Sequence, residues 1–332
     1  MPTSRPDRSS RRSFLRTTAT MSAGAFVARY ASYGLTAFGA SADAQQAKAK
    51  SKEDAVAMMR AQMGKIPIEK TQLGSGLVML SGPGGNVVVL HGSEGKIVVD
   101  SFVQPAWPAL KSLIDGLPGG AIKTLIDTHW HFDHTDNNGS FRKAGATVLA
   151  HENTKKRMSE PHDLLGMHFE PSPASALPTE TFPDRKLLQA NGEQIALFYV
   201  PPAHTDSDIV VQYRGANVVH MGDVFFNGIY PFIDAGTGGN INGMVNGAER
   251  ALKLVNTRTK VVPGHGPLGD RAALDRYRGM LATVRDRVQK LKTAGKTLEE
   301  AQAAKPTAEF DEVWGKGRLT PNDFVALVYK TL

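Results

Sequence analysis

The feature that most constrains this chain is a run of three histidines and one aspartate within seven residues. The run is Thr128-His129-Trp130-His131-Phe132-Asp133-His134, and it follows an apolar stretch at residues 123–127 that is typical of a β-strand. Residues two apart on a strand point to the same face, and four such groups on a turn just past a strand can converge on a small volume. Imidazole and carboxylate are the expected ligands of a borderline or hard divalent metal ion. The run therefore predicts a metal site at the end of a strand.

The composition narrows the chemistry of that site. The chain has no cysteine among its 332 residues, which excludes a thiolate metal site, a cysteine nucleophile and a disulfide framework. Any metal ion must be held by His, Asp or Glu, a ligand set that suits zinc, iron or manganese. The net charge of +7 is concentrated at the N-terminus, where residues 1–44 hold six arginines against two aspartates. Since the rest is close to neutral and has no basic run, we expect no nucleic-acid partner and no nuclease activity.

The N-terminal segment has the pattern of an export signal. Arg11-Arg12 precede Phe14-Leu15, a weakly apolar stretch follows at residues 19–38, and Ala42-Asp43-Ala44 is a small-x-small cleavage site. Paired arginines in this setting resemble a twin-arginine signal. The resemblance implies recognition by the twin-arginine translocase, export in a folded state and a periplasmic or secreted location. A disordered basic tail and a membrane anchor are the alternatives, but Arg29 and the many small polar residues disfavour a stable membrane span.

The rest of the chain alternates between strand and helix patterns. Strand-like runs lie at residues 77–80, 87–90, 96–100, 123–127, 146–150, 194–200, 209–213, 217–221 and 261–262. Helix patterns lie at residues 104–117, 151–158, 245–256, 271–292 and from 297 onwards. Residues 159–187 are Pro-rich without a clear period and are expected to form a long functional or mobile loop. We predict a linker or N-terminal helix at 45–70 and a single layered α/β domain at 71–332, including the C-terminal helices.

The histidine run, together with three motifs further along the chain, resembles the metallo-β-lactamase superfamily. Those motifs are Pro202-Ala203-His204-Thr205, His220-Met221-Gly222-Asp223 and Pro263-Gly264-His265-Gly266. The resemblance spans roughly residues 76–267 and implies a four-layer αββα sandwich with the metal ions at one edge. It assigns His129, His131 and His204 to one metal ion. It assigns Asp133, His134 and His265 to a second ion, with Asp223 bridging the two.

This ligand set implies a dinuclear hydrolase with two Zn²⁺ per chain, or Fe or Mn in their place. Two such ions can share a hydroxide that attacks the substrate, while Asp133 orients the water and takes up its proton. The substrate is expected to be a small molecule carrying an ester, thioester, lactone or amide bond, with a β-lactam possible. Tyr230 is a candidate oxyanion donor, because known lactone hydrolases carry a Tyr three residues after the bridging Asp and this chain has Phe226 there.

Several departures from the family pattern keep other functions open. Lactamases with a cysteine ligand are excluded by Asp223, and residues 224–249 contain no Lys or Arg to bind a substrate carboxylate. The usual Gly-Gly after the motif is replaced by Asp136-Asn137-Asn138, which puts the shape of the cleft in doubt. A di-iron oxidoreductase resembling a sulfur dioxygenase and a non-catalytic metal-binding protein are the alternatives, since a fold alone does not select a reaction.

Overall fold

The structure is a computed structural model, and we describe residues 55–332 of it. The predicted export signal and residues 45–54 lie outside these described residues. Residues 55–63 are helical (α1) and lie within the segment predicted as a linker or N-terminal helix. None of the helices between residues 55 and 332 has the length and apolar character needed to cross a membrane.

The first sheet has seven strands in the order β1-β2-β3-β4-β5-β6-β9. Its strands are β1 Glu69–Gly74, β2 Leu77–Ser81, β3 Asn86–Leu90, β4 Lys96–Val99, β5 Ile122–Ile126, β6 Thr147–His151 and β9 Glu180–Phe182. Strands β1 to β4 form an antiparallel meander, and β4, β5, β6 and β9 are parallel. Helices link the parallel strands β4, β5 and β6, as parallel pairing requires. The carboxyl end of β5 therefore opens directly into the histidine run.

The second sheet has six strands in the order β10-β11-β12-β13-β14-β15. They are β10 Arg185–Ala190, β11 Glu193–Tyr199, β12 Ile209–Tyr213, β13 Val218–His220, β14 Lys260–Val262 and β15 Gly269–Asp270. Strands β13 and β14 are parallel and the other neighbours are antiparallel. Strands β11, β13 and β14 consequently run in the same direction, and each of the three downstream ligand motifs follows the carboxyl end of one of them.

Helices cover the outer face of each sheet. They are α2 Trp107–Asp115, α3 Phe132–Thr135, α4 Asn138–Lys143, α5 Glu152–Met158, α6 Ile241–Leu252, α7 Arg271–Thr293, α8 Leu298–Ala303, α9 Asp311–Trp314 and α10 Pro321–Thr331. A hairpin of β7 His162–Leu164 and β8 Met167–Phe169 stands apart from both sheets.

The alternation of side chains along the strands shows four layers. In β2, Val78 and Leu80 pack with helices α2 and α4, whereas Leu77 and Met79 pack against the second sheet. In β13 the neighbouring residues Val218 and Val219 divide in the same way, between the two sheets and the layer of α6, α7 and α10. Successive strand residues point to opposite faces, so an uninterrupted apolar strand fills two cores at once. The predicted α/β class and αββα sandwich are confirmed.

Two parts of the sequence prediction were wrong about local structure. Residues 159–187 are not one unstructured loop, because they contain β7, β8, β9 and the first residues of β10. The first strand begins at Glu69, inside the segment predicted as linker or helix. These strands are short or lie at a sheet edge, and β1 has a single buried residue, Leu73. Their apolar periodicity was therefore too weak to predict them.

Candidate metal centre

The structure brings all seven predicted ligands together at one edge of the sandwich, in two adjacent groups. In each group, one ligand atom per residue lies within 4.8 Å of the others. The first group contains His129, His131, His204 and Asp223, and the second contains Asp133, His134 and His265. We call His129, His131 and His204 the three-histidine group, and Asp133, His134 and His265 the Asp133 group.

Asp223 lies between the two groups. Its Oδ2 is 3.4 Å from His204 Nε2 and 3.3 Å from His265 Nε2, and its Oδ1 is 3.2 Å from His134 Nε2. One carboxylate thus faces imidazoles of both groups, as the resemblance implied for a bridging ligand. Asp223 is held there by a 3-10 turn at Gly222–Val224 that directly follows β13.

Hydrogen bonds behind the three-histidine group fix which nitrogen of each ring carries the proton. His204 Nδ1 donates to the Phe232 carbonyl at 2.8 Å, and His131 Nε2 donates to Asp234 Oδ2 at 3.2 Å. The Thr128 hydroxyl gives its proton to Asp100 at 2.8 Å, so it can only accept from His129 Nδ1, 3.0 Å away. The opposite nitrogen of each neutral ring therefore presents a lone pair to the cluster.

These lone pairs face one another without a proton to share. His131 Nδ1 and His204 Nε2 are 2.9 Å apart, and His129 Nε2 is buried with no hydrogen-bond partner. Asp223 Oδ1 is likewise buried, with His134 Nε2 3.2 Å away. Imidazole lone pairs that converge beside a buried carboxylate are unfavourable unless a cation lies among them. The donor set of this centre therefore fits divalent metal ions.

Burial and charge shift the histidine pKa values of the two groups in opposite directions. Burial lowers the pKa of His204 to about 4 and holds the pKa of His129 well below its ordinary value. Burial also opposes the protonation of His134 and His265, but Asp223 and the neighbouring carboxylates outweigh it and raise both pKa values. His129 and His204 therefore favour neutral rings, whereas His134 and His265 hold protons more tightly when no metal ion competes.

The predicted ligands stand in the setting that one large protein family uses. The family model described as Metallo-beta-lactamase superfamily matches residues 80–293 of this chain. The chain belongs to the metallo-beta-lactamase superfamily. A metallo-beta-lactamase from Pontibacter korlensis matches with a TM-score of 0.54, covering 65% of this chain and 99% of its own, at 18% identity. The DIM-1 metallo-beta-lactamase matches with a TM-score of 0.55, covering 66% of this chain and 99% of its own, also at 18% identity. At such identity the likeness establishes a shared fold alone.

One relative is recognisable by sequence. The 2,4-dinitroanisole O-demethylase subunit alpha of Nocardioides sp. strain JS1661 is 26% identical over 133 residues. The aligned part is 39% of this chain and 38% of that subunit, so it spans well under half of the relative.

Within this superfamily member, four polar residues that the sequence analysis missed hold the ligands in place. Asp100 accepts from His134 Nδ1 at 2.7 Å, and Asp234 accepts from His131. Asp208 accepts from the backbone of His204 and Thr205. Asn86 donates to the carbonyls of Pro263 and Gly266 on either side of His265. Asp100 could have been found from the sequence, since it is a polar residue directly after a buried apolar strand. The other three residues have no local sequence pattern that sets them apart.

The segment Asp136-Asn137-Asn138, which replaces the usual glycines, has a structural role. Asp136 forms a two-pronged ion pair with Arg60 of α1, and Asn137 Nδ2 donates to the carbonyls of residues 101–103. Gly85 is needed for a different reason, because a Cβ there would lie 2.2 Å from His134 Cε1. These contacts fasten α1 and the β2–β3 loop around the histidine run.

Tyr230 does not stand where its predicted role needs it. Its hydroxyl donates to Asp311 Oδ1 at 2.8 Å, and its ring stacks on Phe324 with centroids 4.6 Å apart. The hydroxyl is thus engaged by the C-terminal helices, and this geometry does not support Tyr230 as an oxyanion donor. The aromatic residues beside the ligands are Phe226, stacked on His265 at 5.3 Å, and Phe232, whose ring lies 6.0 Å from that of His204.

His162 and His168 line a separate cavity of about 560 Å³. This cavity lies behind the histidine run, between α1, α4, α5 and the β7–β8 hairpin, and Trp130 and Phe132 form part of its wall. None of the seven ligands lines it. The two histidines therefore stand apart from the metal centre.

Proposed function

We propose that this protein is a dinuclear metal-dependent hydrolase. The observation that carries the proposal is the close approach of two imidazole nitrogens, His131 Nδ1 and His204 Nε2, 2.9 Å apart, beside His129 Nε2, which has no hydrogen-bond partner. Zn²⁺ is the ion we propose, two per chain, because an all-His and Asp donor set without cysteine suits it. When bound, such ions supply Lewis acidity and a water molecule whose pKa is close to neutral.

The chain's own side chains divide the remaining work. Asp133 is the more accessible carboxylate, with 14% of its side chain exposed against 4% for Asp223. Its Oδ2 lies 3.4 Å from His265 Nε2, at the open side of the centre. We assign to Asp133 the orientation of the attacking water and acceptance of its proton. Asp223 is enclosed by histidines that hold its pKa well below the ordinary value despite its burial, so it remains an anion between the two groups.

The surroundings of the centre favour an uncharged substrate group. Residues 224–249, which follow Asp223, contain no Lys or Arg, and Phe226 and Phe232 flank the ligands. We therefore propose a neutral ester, thioester, lactone or amide as the scissile group, with a β-lactam among the candidates. The O-demethylase named above adds aryl methyl ethers to the substrates worth testing.

We also propose that the protein is exported by the twin-arginine translocase to the periplasm or beyond. The Arg11-Arg12 pair and the Ala42-Asp43-Ala44 site support this proposal. Replacing both arginines with lysine is expected to leave the full-length precursor in the cytoplasm. An unchanged distribution between cell fractions would contradict it.

The experiment that tests the function is a substrate panel on purified protein of measured metal content. The panel contains lactones, thioesters, aryl esters, β-lactams and 2,4-dinitroanisole. The wild type is compared with Asp133→Asn and with the matched control Asp163→Asn, whose carboxylate is 74% exposed on the β7–β8 hairpin. We expect Asp133→Asn to lower kcat by about 10²- to 10⁴-fold, the usual contribution of a positioned general base, and Asp163→Asn to leave it unchanged.

Three results would overturn the proposal. Bound iron with oxygen uptake and no hydrolysis would favour the di-iron oxidoreductase. Tight metal binding without turnover of any panel substrate would favour a non-catalytic metal-binding protein. Full hydrolytic activity of Asp133→Asn would remove the role assigned to that carboxylate.

A further inference from the structure

The segment at residues 223–234 runs along the whole metal centre. It begins with the bridging candidate Asp223 and ends with Asp234, which accepts the proton of His131 Nε2. Between them, Phe226 stacks on His265, and the Phe232 carbonyl accepts from His204 Nδ1. Residues 225–227 also hydrogen-bond to the backbone around His265. We call residues 223–234 the centre loop.

The middle of the centre loop is held by the C-terminal part of the chain. Tyr230 donates its backbone N–H to the Trp314 carbonyl at 2.9 Å and its hydroxyl to Asp311 Oδ1 at 2.8 Å. Its ring stacks on Phe324 of α10 with an interplanar angle of 15°. Ile229 packs so closely on the α9–α10 connection that a Cβ at Gly317 would lie 2.8 Å from the Ile229 Cβ.

The C-terminal part is itself anchored to the sandwich. Arg287 of α7 donates to the Pro306 carbonyl at 2.9 Å and pairs with Glu309 at 2.8 Å. The caps of α8 and α10 are closed by capping boxes at Thr297 and Thr320, which fix the ends of both helices. A chain of contacts therefore extends from α7 through residues 305–332 to Tyr230. The family model ends at residue 293, so residues 305–332 lie outside the part of the chain that the superfamily defines.

We propose that residues 305–332 are a brace that sets the geometry of the metal centre through Tyr230, which makes Tyr230 a positioning residue. The proposal rests on the proposed function only in assuming that the centre binds metal ions. The centre loop carries one ligand and the hydrogen-bond acceptors of two others, so a shift of its middle changes three metal–ligand directions together. Outer partners of metal ligands control metal affinity because they orient the ligand lone pairs.

Removing the brace contact while keeping the fold tests the proposal. The variants are Tyr230→Phe and Asp311→Ala, which removes the acceptor of the Tyr230 hydroxyl, and the matched control is Tyr329→Phe, which removes an exposed hydroxyl bond to the Lys296 carbonyl. Metal affinity is measured by competition with a chromogenic chelator, and ligand geometry by the visible absorption of the Co²⁺-substituted protein. We expect both brace variants to bind metal about 3- to 30-fold more weakly, the range seen when residues without ligand contact modulate a site. Their Co²⁺ spectra should shift, and the control should resemble the wild type.

The double variant distinguishes a positioning role of Tyr230 from a role as an oxyanion donor. If Tyr230 acts through Asp311, the Tyr230→Phe and Asp311→Ala effects are non-additive, because each removes the same hydrogen bond. An oxyanion donor would instead lower kcat by about 10²- to 10³-fold in Tyr230→Phe alone, with the Co²⁺ spectrum and the Asp311→Ala variant unchanged. That result would overturn the brace.

A second pair of variants keeps the proposal testable if Tyr230→Phe does not fold. Gly317→Ala pushes on Ile229, whereas Gly279→Ala of α7 meets nothing within 4 Å. We expect a weaker metal affinity in Gly317→Ala and the metal affinity of the wild type in Gly279→Ala. The contrary result is that the brace variants all show a lower melting temperature with the metal affinity and Co²⁺ spectrum of the wild type. That result would mean that residues 305–332 stabilise the fold without setting the geometry of the centre. Absence of metal binding by the wild type would refute the proposed function instead.

Discussion

Replacing Asp100 with asparagine probes how the fold prepares a metal ligand. Asp100 is fully buried, and its carboxylate accepts three hydrogen bonds: Oδ1 from the Thr128 N–H at 2.8 Å, and Oδ2 from the Thr128 hydroxyl at 2.8 Å and His134 Nδ1 at 2.7 Å. Its φ of 65° lies in the left-handed region, which Asn tolerates as well as Asp does. The substitution therefore changes the side-chain chemistry without adding backbone strain.

Neither orientation of the asparagine amide satisfies all three donors. With its NH₂ at the Oδ1 position, the amide faces the Thr128 N–H, so two donors meet. With its NH₂ at the Oδ2 position, it faces the Nδ1–H of His134 and drives that ring to the other tautomer. The tautomer change turns an N–H towards the Asp133 group instead of a lone pair. We expect the Asp133 group to bind its ion about 10- to 100-fold more weakly, or about 1.4–2.8 kcal/mol, which is typical for loss of an outer partner of a metal-binding histidine.

The assay combines chelator competition with NMR of the imidazole nitrogens. The expected result is weaker binding of one ion and a change of the His134 tautomer in the metal-free protein. Asp127→Asn is the matched control, since Asp127 is equally buried but accepts its hydrogen bond from Asn138 and not from a ligand. Metal affinity equal to that of the wild type in Asp100→Asn, or an equal loss in Asp127→Asn, would show that Asp100 does not prepare His134 for metal binding.

Three further predictions concern the effect of pH, the loop around His265 and the removal of metal. On acidification, the Asp133 group should lose its ion first. The raised pKa values of His134 and His265 let protons compete with the metal ion at pH values above 6.5, the ordinary pKa of histidine, whereas His204 stays neutral down to about pH 4. Native mass spectrometry between these limits should show one ion per chain, and simultaneous loss of both would contradict this order. Asn86→Ala removes the donors that hold the loop around His265 and should weaken the same ion while sparing the other; an equal loss of both ions in chelator titrations would argue against it. Removing metal should lower the free energy of unfolding by about 2.7 kcal/mol for each of the two ions, relative to protein with free ion at 100 times the Kd of each site, and calorimetry that shows no difference would exclude metal binding by the folded state.

The residues that the structure brings together as candidate ligands could be found in the sequence because their signals are local. The run from His129 to His134 has a fixed spacing after a strand, and His204, Asp223 and His265 each stand in a short motif at a strand end. The strands that fill two cores were equally visible, since they are continuous apolar runs. Both kinds of signal depend on neighbours within a few residues.

The supporting residues could not be predicted because their partners are distant in sequence. Asp234 lies 103 residues from His131, and Asn86 lies 177 residues from Pro263. Only the pairing of strands and the packing of the two sheets bring these groups together. Tyr230 was misjudged for the same reason: its partner Asp311 is 81 residues away on a helix beyond the superfamily region, so nearness to Asp223 in sequence suggested a catalytic role that the geometry does not support.

The most direct test of the central claim is the metal content of the purified protein, measured by elemental mass spectrometry alongside turnover of its best panel substrate. We expect two divalent ions per chain, and turnover that disappears when a chelator removes them and returns when Zn²⁺ is restored. Protein that holds no metal ion, or that hydrolyses the substrate at full rate after the ions are removed, would contradict the dinuclear centre built from the seven ligands.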